Sequence, residues 1–296
     1  MKYLYSLALL LLTSAPLLAQ DDLDKLLEDD LKPSKEYANN AFKSSRVING
    51  HSMEMIGKGV LDFRILHRFG TFKSGINNLF GLDQASMRMG FDYGVSKNLT
   101  LGIGRSTFNK EVDGFFKYRF AHQHKGLHAF PFSMLWVSGI TLNSTKITDP
   151  KLNLFSNKLG YYHQLIIGRK FNESFSLQLS PTFVHRNLVE TRTDYNSMAA
   201  LGIGARLKMS KRTALIIDTY PIVYGSKEDY NYFPLSIGLD IETGGHVFQL
   251  HITNAKGMNE KAFIAETLQD WGKGEIQFGF NLSRVFTVVK NKEASW

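Results

Sequence analysis

The chain has 296 residues, no cysteine and a formal net charge of +8. The lack of cysteine excludes disulfides and thiolate metal sites. The basic residues neither cluster on one helix nor alternate with a stacking platform, so we expect no nucleic-acid partner and favour anionic lipid headgroups or anionic solutes.

The first residues have the features of an export signal. Lys2 is followed by an apolar run from Leu7 to Leu12 and by a cleavage region at 15–19. We therefore expect a signal peptide over 1–19, with the cut itself left open because a leucine occupies the −3 position. An uncleaved anchor is the alternative, but the apolar run is short for a span of about 20 residues.

An acidic segment follows the signal. Its leucines, Leu23, Leu26, Leu27 and Leu31, are spaced as on a helix, and Pro33 ends the pattern. The segment 20–56 is predicted to be periplasmic, with a short helix or a flexible tail that could dock a periplasmic partner. Its second half, 46–56, looks extended and is either a lead-in to the first strand or a segment folded into the lumen.

From Gly59 to Phe286 the sequence alternates between apolar and polar residues. In 275–283, for example, Ile276 and Phe278 alternate with Glu275 and Gln277. Such alternation predicts strands with one apolar and one polar face, as in a transmembrane β-barrel. Twelve strands are predicted, at 58–69, 85–95, 98–107, 112–122, 128–143, 157–171, 174–188, 195–209, 212–225, 233–243, 246–255 and 273–286.

The connections between these strands are of two kinds. Tight turns are predicted at 96–98, 122–125, 171–174, 210–212 and 243–245, and longer loops separate them. Outer-membrane barrels keep short turns on the periplasmic side. We therefore predict an all-β, antiparallel transmembrane barrel of about twelve strands over 57–288, with a tail at 289–296, in the outer membrane of a Gram-negative bacterium. A barrel of fourteen strands is the alternative if 256–272 contains a further strand, although that loop looks helical. A soluble β-sandwich or lipocalin-like shell is the alternative fold.

The predicted inward face carries charges of both signs. One interpretation is a lumen filled by salt bridges, because buried charges are normally paired. The other is a charged channel wall that sets ion preference. The candidate lumen-lining residues are Asp62, Arg64, Arg68, Arg88, Asp92, Lys117, Arg119, Arg206, Asp218, Asp240, Glu242 and Glu275.

No pattern predicts catalysis, a metal or a cofactor. His122, His124 and His128 fall at a predicted turn without a neighbouring carboxylate, which favours solvated histidines over a metal site. Ser236, Asp240 and His251 belong to adjacent strands, but the predicted alternation places His251 on the opposite face, with Val247 and Gln249. We therefore expect the protein not to be an enzyme.

Two stretches, 58–70 and 240–254, resemble an uncharacterised outer-membrane β-barrel family of Bacteroidota known as a domain of unknown function. The resemblance covers about 45–286 and implies location and fold, without catalytic or ligand residues. We predict a passive channel or facilitated uptake of small solutes, with anions as a candidate class. The alternatives are a non-conducting scaffold barrel that docks a periplasmic partner and, third, an outer-membrane hydrolase.

Overall fold

The structure, a computed structural model, describes residues 34–226, 232–243 and 246–289. The predicted signal peptide, the helical pattern at 21–31, the glycines of the turn at 243–245 and the tail from 290 onward lie outside the described residues. No helix in the described part of the chain is long and apolar enough to cross a membrane.

The strands form two sheets. A small sheet pairs β1 (Lys35–Tyr37) with β6 (His124–Gly126). The large sheet contains β2 (Val60–Thr71), β3 (Ala85–Ser96), β4 (Leu99–Ser106), β5 (Glu111–Ala121), β7 (Ser133–Asn143), β8 (Leu159–Lys170), β9 (Phe175–Arg186), β10 (Ser197–Lys208), β11 (Thr213–Thr219), β12 (Ile222–Tyr224), β13 (Leu235–Thr243), β14 (His246–Thr253) and β15 (Gln277–Thr287).

The large sheet is a closed antiparallel barrel of twelve spans. Each strand pairs with its neighbour along the chain, β15 pairs with β2, and β10 pairs with β11. β11 and β12 are two halves of one span that is interrupted at Tyr220 and Pro221, because proline has no N–H to donate. The Pro221 carbonyl still accepts from the N–H of Leu201 at 2.9 Å, so β10 pairs with both halves. The predicted twelve-stranded barrel is confirmed.

One predicted turn is wrong. The chain between β5 and β7 is not a tight turn at 122–125 but an eleven-residue connection that carries β6. The extended run at 128–143 therefore starts only at Ser133. Two features break it: His128 adopts a left-handed conformation with φ 51°, and Pro131 lacks a ladder donor. The loop before β15 contains the predicted helical turn, α1 (Glu260–Ala265).

The barrel has an inner end, where β2 begins and β15 finishes, and an outer end. Short connections, 97–98, 171–174 and 209–212, lie at the inner end, and the longer ones, 72–84, 144–158, 187–196 and 254–276, lie at the outer end. The eleven-residue β5–β7 connection also lies at the inner end, and the four-residue connection 107–110 lies at the outer end, so the predicted asymmetry is met only in part.

The outer surface of the strands is apolar. Large side chains such as Leu101, Ile103 and Phe116 are about half exposed, with Ile103 at 57%. An apolar surface around a whole barrel would be unstable in water, so this surface is suited to lipid. The opposite strand face is polar and buried, and the centre of the barrel is filled.

Candidate functional site

Residues 41–56, which we call the plug, lie inside the barrel. Ala41, Phe42, Val47, Ile48 and Met53 are all buried, with at most 3% of their surface exposed. Of the two alternatives that the sequence leaves for 46–56, the structure shows the segment folded into the lumen. The predicted periplasmic segment 20–56 therefore does not stay outside the barrel along its whole length.

The plug folds into a turn that the barrel wall holds by its backbone. Within the plug, the N–H of Val47 donates to the carbonyl of Gly50 at 2.8 Å. The buried carboxylate of Asp218 on β11 accepts the N–H groups of Ile48, Asn49 and Gly50 at 3.2, 2.7 and 3.1 Å. A charged acceptor makes each of these bonds stronger than a neutral one would. Asp218 therefore fixes the tip of the plug.

Wall amides bind the rest of the plug backbone. Gln178 on β9 accepts the N–H of Met53 at 2.8 Å and donates to the His51 carbonyl at 2.7 Å. Gln249 on β14 and Asn281 on β15 donate to plug carbonyls at 2.5 and 3.0 Å. These contacts come from widely separated strands, so the plug has one defined position.

Small wall residues make room for the plug. A Cβ at Gly168 on β8 would clash with the sulfur of Met53 and would lie 3.2 Å from its Cβ. A Cβ at Gly204 on β10 would lie 3.0 Å from Cγ2 of Val47. Because any larger residue would push the plug away, the wall is shaped to fit this segment.

A second insert enters from the outer end. All six residues of α1 are buried, and the Asn259 side chain caps the helix by accepting the N–H of Ala262 at 2.9 Å. The ring of Phe263 packs edge-on against Tyr220 of the wall, with centroids 4.9 Å apart. Lys261 pairs with Glu111 of β5. This loop therefore fills the outer half of the lumen.

The two inserts meet at a buried ion pair. Nη1 of Arg46 in the plug lies 3.0 Å from Oε1 of Glu260 on α1, and Nε2 of His51 lies 3.5 Å from the same oxygen. Burial and the Arg46 charge lower the pKa of His51 well below its usual range, so His51 is neutral. Burial raises the pKa of Glu260, while Arg46 opposes that shift.

Nine of the twelve predicted lumen residues lie buried on the inward face, each with at most 4% of its surface exposed. Asp62 also borders the smaller inner cavity. Arg64 pairs with Asp62, Arg88 pairs with Asp113, and Lys117 donates to plug carbonyls. The nine are Asp62, Arg64, Arg68, Arg88, Asp92, Lys117, Arg206, Asp218 and Asp240.

The other three predicted residues lie at the rims. Arg119 donates to the Lys97 carbonyl at 2.9 Å at the inner end. Glu242 pairs with Lys43 at 2.9 Å at the same end. Glu275 precedes β15 and pairs with Lys73 at 2.8 Å at the outer end. None of these three lines the buried centre.

Asp113, Glu111 and Gln178 are wall residues that the sequence analysis missed. Asp113 and Glu111 lie four and six residues before Lys117 on β5 and share its inward parity, so extending the alternation toward the start of the strand would have found them. Gln178 follows from the same rule on β9. The sequence around these residues does not indicate their partners, because the partners come from distant segments of the chain.

The prediction for the side chain of His251 is wrong. His251 and Gln249 face inward and are buried, with Phe248 and Leu250 on the lipid side. Even so, the set Ser236, Asp240 and His251 is not assembled among the described residues. Ser236 bonds to Thr253 at 2.7 Å, Asp240 bonds to Gln249 at 2.8 Å, and neither ring nitrogen of His251 has a hydrogen-bond partner there.

The turn histidines contact the N-terminal strand instead of each other's ring nitrogens. Nε2 of His122 donates to the Ala38 carbonyl at 3.0 Å, and the Tyr37 ring stacks on His122 at 4.8 Å. Nδ1 of His124 donates to the His122 carbonyl at 2.9 Å. Burial and the Arg119 charge lower the pKa of His122. These contacts fix β1 at the inner rim, and no group of three metal-binding side chains occurs in the described ranges.

Cavities lie at both ends, with the inserts between them. The inner cavities have volumes of about 820 and 360 Å³, and Glu54 and Met55 of the plug line both. The outer cavity has a volume of about 530 Å³, and Lys261 and Ala265 of α1 line it. The plug and α1 therefore separate the two ends of the barrel.

Several solved barrels align with the chain at low identity. A mutant of the Rh. blastica porin is 11% identical over 68% of this chain and 55% of its own, with a TM-score of 0.32. Salmonella typhi OmpF in complex with daunomycin is 9% identical over 77% of this chain and 96% of its own, with a TM-score of 0.38. LpxR from Salmonella typhimurium is 10% identical over 77% and 99%, with a TM-score of 0.35. The chain spans about half the length of the porin, at 55%.

No curated protein matches the chain. A family model does match, over residues 42–286, and this range includes the plug as well as the barrel. The closed antiparallel sheet with its apolar exterior agrees with the description of that family. The chain belongs to the family described as a membrane-bound beta barrel domain, DUF5777.

Proposed function

We propose that the protein is an outer-membrane barrel that its own N-terminal segment keeps closed, and that small solutes pass only when the plug leaves the lumen. The observation that carries this proposal is the binding of three consecutive plug N–H groups by the buried carboxylate of Asp218. A segment held in this way blocks the path between the outer and inner cavities.

An outer-membrane location is supported by three features. The family is membrane-bound, the strand exterior is apolar, and three of the short connections lie at the end that holds both chain ends of the barrel. Outer-membrane barrels carry short turns on the periplasmic side. The inner end, with β1 and the start of the plug, is therefore assigned to the periplasm.

The charges of the lumen also support a closed resting state. Arg64, Arg88 and Arg46 each pair with a buried carboxylate, so they do not form an unpaired ring of the kind that selects ions in a pore. Withdrawal of the plug would remove Arg46 from Glu260 and free the carboxylate of Asp218. The wall exposed by that step is hydrophilic, as passage of a polar or anionic solute requires.

Planar-bilayer conductance tests the proposal. The full-length mature chain should show no stable channel steps. A variant lacking 34–56 should conduct, because α1 then loses its Arg46 partner and no longer keeps the outer half of the lumen filled. Because that deletion removes buried contacts, the point variant Asp218→Ala serves as a second opening variant, and it should flicker between closed and open levels. Open full-length protein, or a folded plug-free barrel without any steps, contradicts the proposal.

One observation favours a second candidate, a scaffold that binds a periplasmic partner. The three residues of β1 are exposed. The strand pairs on one edge with β6, and its second edge is unpaired among the described residues. An unpaired strand edge can accept an extended segment of another protein. If the plug-free barrel stays closed, cross-linking from Glu36 in whole cells should capture a periplasmic protein, and deleting 34–37 should abolish that product.

A further inference from the structure

The outer cavity has the size of a small-molecule site. Its volume of about 530 Å³ falls within the range of about 300–1,000 Å³ that ligand pockets occupy. Its walls come from the loops after β7 and β9, and its floor comes from α1. Much of the lining is apolar, formed by Ile147, Leu159, Leu188, Val189, Ala265 and Leu268.

Three cations of this cavity have no carboxylate partner among the described residues. Arg186 donates only to the carbonyls of Ala265 at 3.3 Å and Tyr195 at 3.0 Å and to a methionine sulfur, and its Nε is buried without a partner. Lys146 and Lys158 make no ion pair in the described ranges. Arg186 is half-buried, and a guanidinium that is satisfied only by neutral acceptors binds an anion more strongly than the carbonyls it already has.

The acidic groups of the cavity do not neutralise these cations. Glu266 is occupied by Lys261 at 2.7 Å and by the amide of Asn109 at 2.9 Å. Asp194 accepts the N–H of Thr191 at 2.8 Å. Glu190 lies exposed at the loop tip. The unpaired charge of the site is therefore positive, next to an apolar wall.

The floor of the cavity touches the plug from its other side. Ala265, at the end of α1, accepts from Arg186 in the cavity, and Glu260, at the start of α1, pairs with Arg46 in the plug. An anion on Arg186 would compete with the Ala265 carbonyl and loosen that end of the helix. The helix is only six residues long, so its two ends cannot move independently.

We propose that the outer cavity binds a small anionic solute with an apolar body, and that α1 connects the bound solute to the plug. This inference rests on the proposed function, because it treats the plug as the gate. Small anions with an apolar body are then the solutes that the closed barrel binds from outside.

Isothermal titration of the full-length protein in nanodiscs tests the site, with empty nanodiscs as the reference. Hexanoate is the probe, hexanamide is its neutral counterpart, and acetate lacks the apolar body. Hexanoate should bind with one-to-one stoichiometry and at least about tenfold more tightly than either comparator, since a hydrogen bond to a charged group contributes about 1.5–3 kcal/mol.

Variants in the two loops identify the residues. Arg186→Gln and Lys158→Gln should each weaken hexanoate binding about tenfold. Arg192→Gln and Lys151→Gln are the matched controls. Arg192 lies in the loop that follows Arg186, Lys151 lies in the loop of Lys158, and both are outside the cavity, so these variants should bind like the parent. Equal binding of hexanoate and hexanamide, or equal affinities of Arg186→Gln and Arg192→Gln, would overturn the site.

Hydrogen exchange tests the connection to the plug. Saturating hexanoate should speed amide exchange at 46–53 in the parent and in Arg192→Gln, with no change in Arg186→Gln. Binding without any effect on these amides would overturn the connection. Neither readout needs a conducting barrel, so a failed conductance test and a failed binding test point to different proposals.

Discussion

Asp218 shows how one inward residue acquires its role. Its position on β11 makes it face the lumen, but its partners are plug N–H groups 168 to 170 positions earlier in the chain. The alternation of the strand therefore predicts the direction of the side chain. It cannot predict the partners, because the plug is a local turn without periodicity and its contacts come from strands that are adjacent only in space.

We predict that Asp218→Asn loosens the tip of the plug. All three plug N–H groups donate to Oδ2 of Asp218, and the oxygen of an asparagine can occupy that position. The acceptor is then neutral, so three bonds to a charged acceptor, each contributing about 1.5–3 kcal/mol, become weaker. Amide exchange of Ile48 to Gly50 should become about 10- to 100-fold faster. Asp149→Asn, at an exposed outer loop, is the control and should leave these amides unchanged. Unchanged exchange in Asp218→Asn would show that the carboxylate does not hold the plug.

His51 should make plug retention depend on pH. Its pKa is lowered in the lumen, whereas a released plug would titrate near the ordinary value of 6.5. The stabilisation from neutral His51 is therefore complete above about pH 6.5 and falls by about 1.4 kcal/mol per pH unit below it. Through His51, plug opening, measured by exchange at 46–53, should rise by up to about fivefold from pH 6.5 to 5.5.

The comparison with His51→Gln isolates this effect. Glu54 and Glu260 have raised pKa values, so they act in the opposite direction and favour the inserted plug as the pH falls. Both carboxyls remain in the variant. As the pH falls, plug opening should therefore increase more in the parent than in His51→Gln. A constant ratio between the two proteins across this pH range would refute the role of His51.

At the scale of elements, the plug and α1 support each other. A helix of six residues is too short to be stable alone, so α1 depends on its cap, on Phe263 and on the pair with Arg46. The helical loop and most strand bounds could be predicted from sequence periodicity. The β5–β7 connection could not, because Pro131 and the left-handed His128 interrupt a run that still reads as apolar and extended.

A double-mutant cycle should show the coupling between the inserts. Removing one partner of a buried ion pair leaves an unpaired charge and costs about 3–5 kcal/mol. We expect Arg46→Met and Glu260→Gln each to lower the free energy of unfolding by about this amount. The double variant should lose clearly less than the sum of the single losses. Additive losses would mean that the plug and α1 are energetically independent.

At the scale of the molecule, the barrel is a wall built around two inserts. Glycines at 168 and 204 leave space that plug side chains occupy. Arg64 and Arg88 pair with carboxylates of the wall, and Glu111 of the wall pairs with Lys261 of α1. The strand number could be predicted from the sequence. The asymmetry of the two ends could be predicted only in part, because the eleven-residue β5–β7 connection lies at the inner end. The closed lumen was only one of two interpretations, because inward charge is compatible with both a filled and an open barrel.

A reversible covalent lock tests the central claim, that the plug is the gate, most directly. The chain has no cysteine, so Met53→Cys with Gly168→Cys introduces a single pair. A Cβ at Gly168 lies 3.2 Å from that of Met53, near the range of about 3.5–4.5 Å that disulfides need. In an Asp218→Ala background, bilayer recordings should show channel steps after reduction and none after oxidation. Identical conductance in the two redox states would contradict the account.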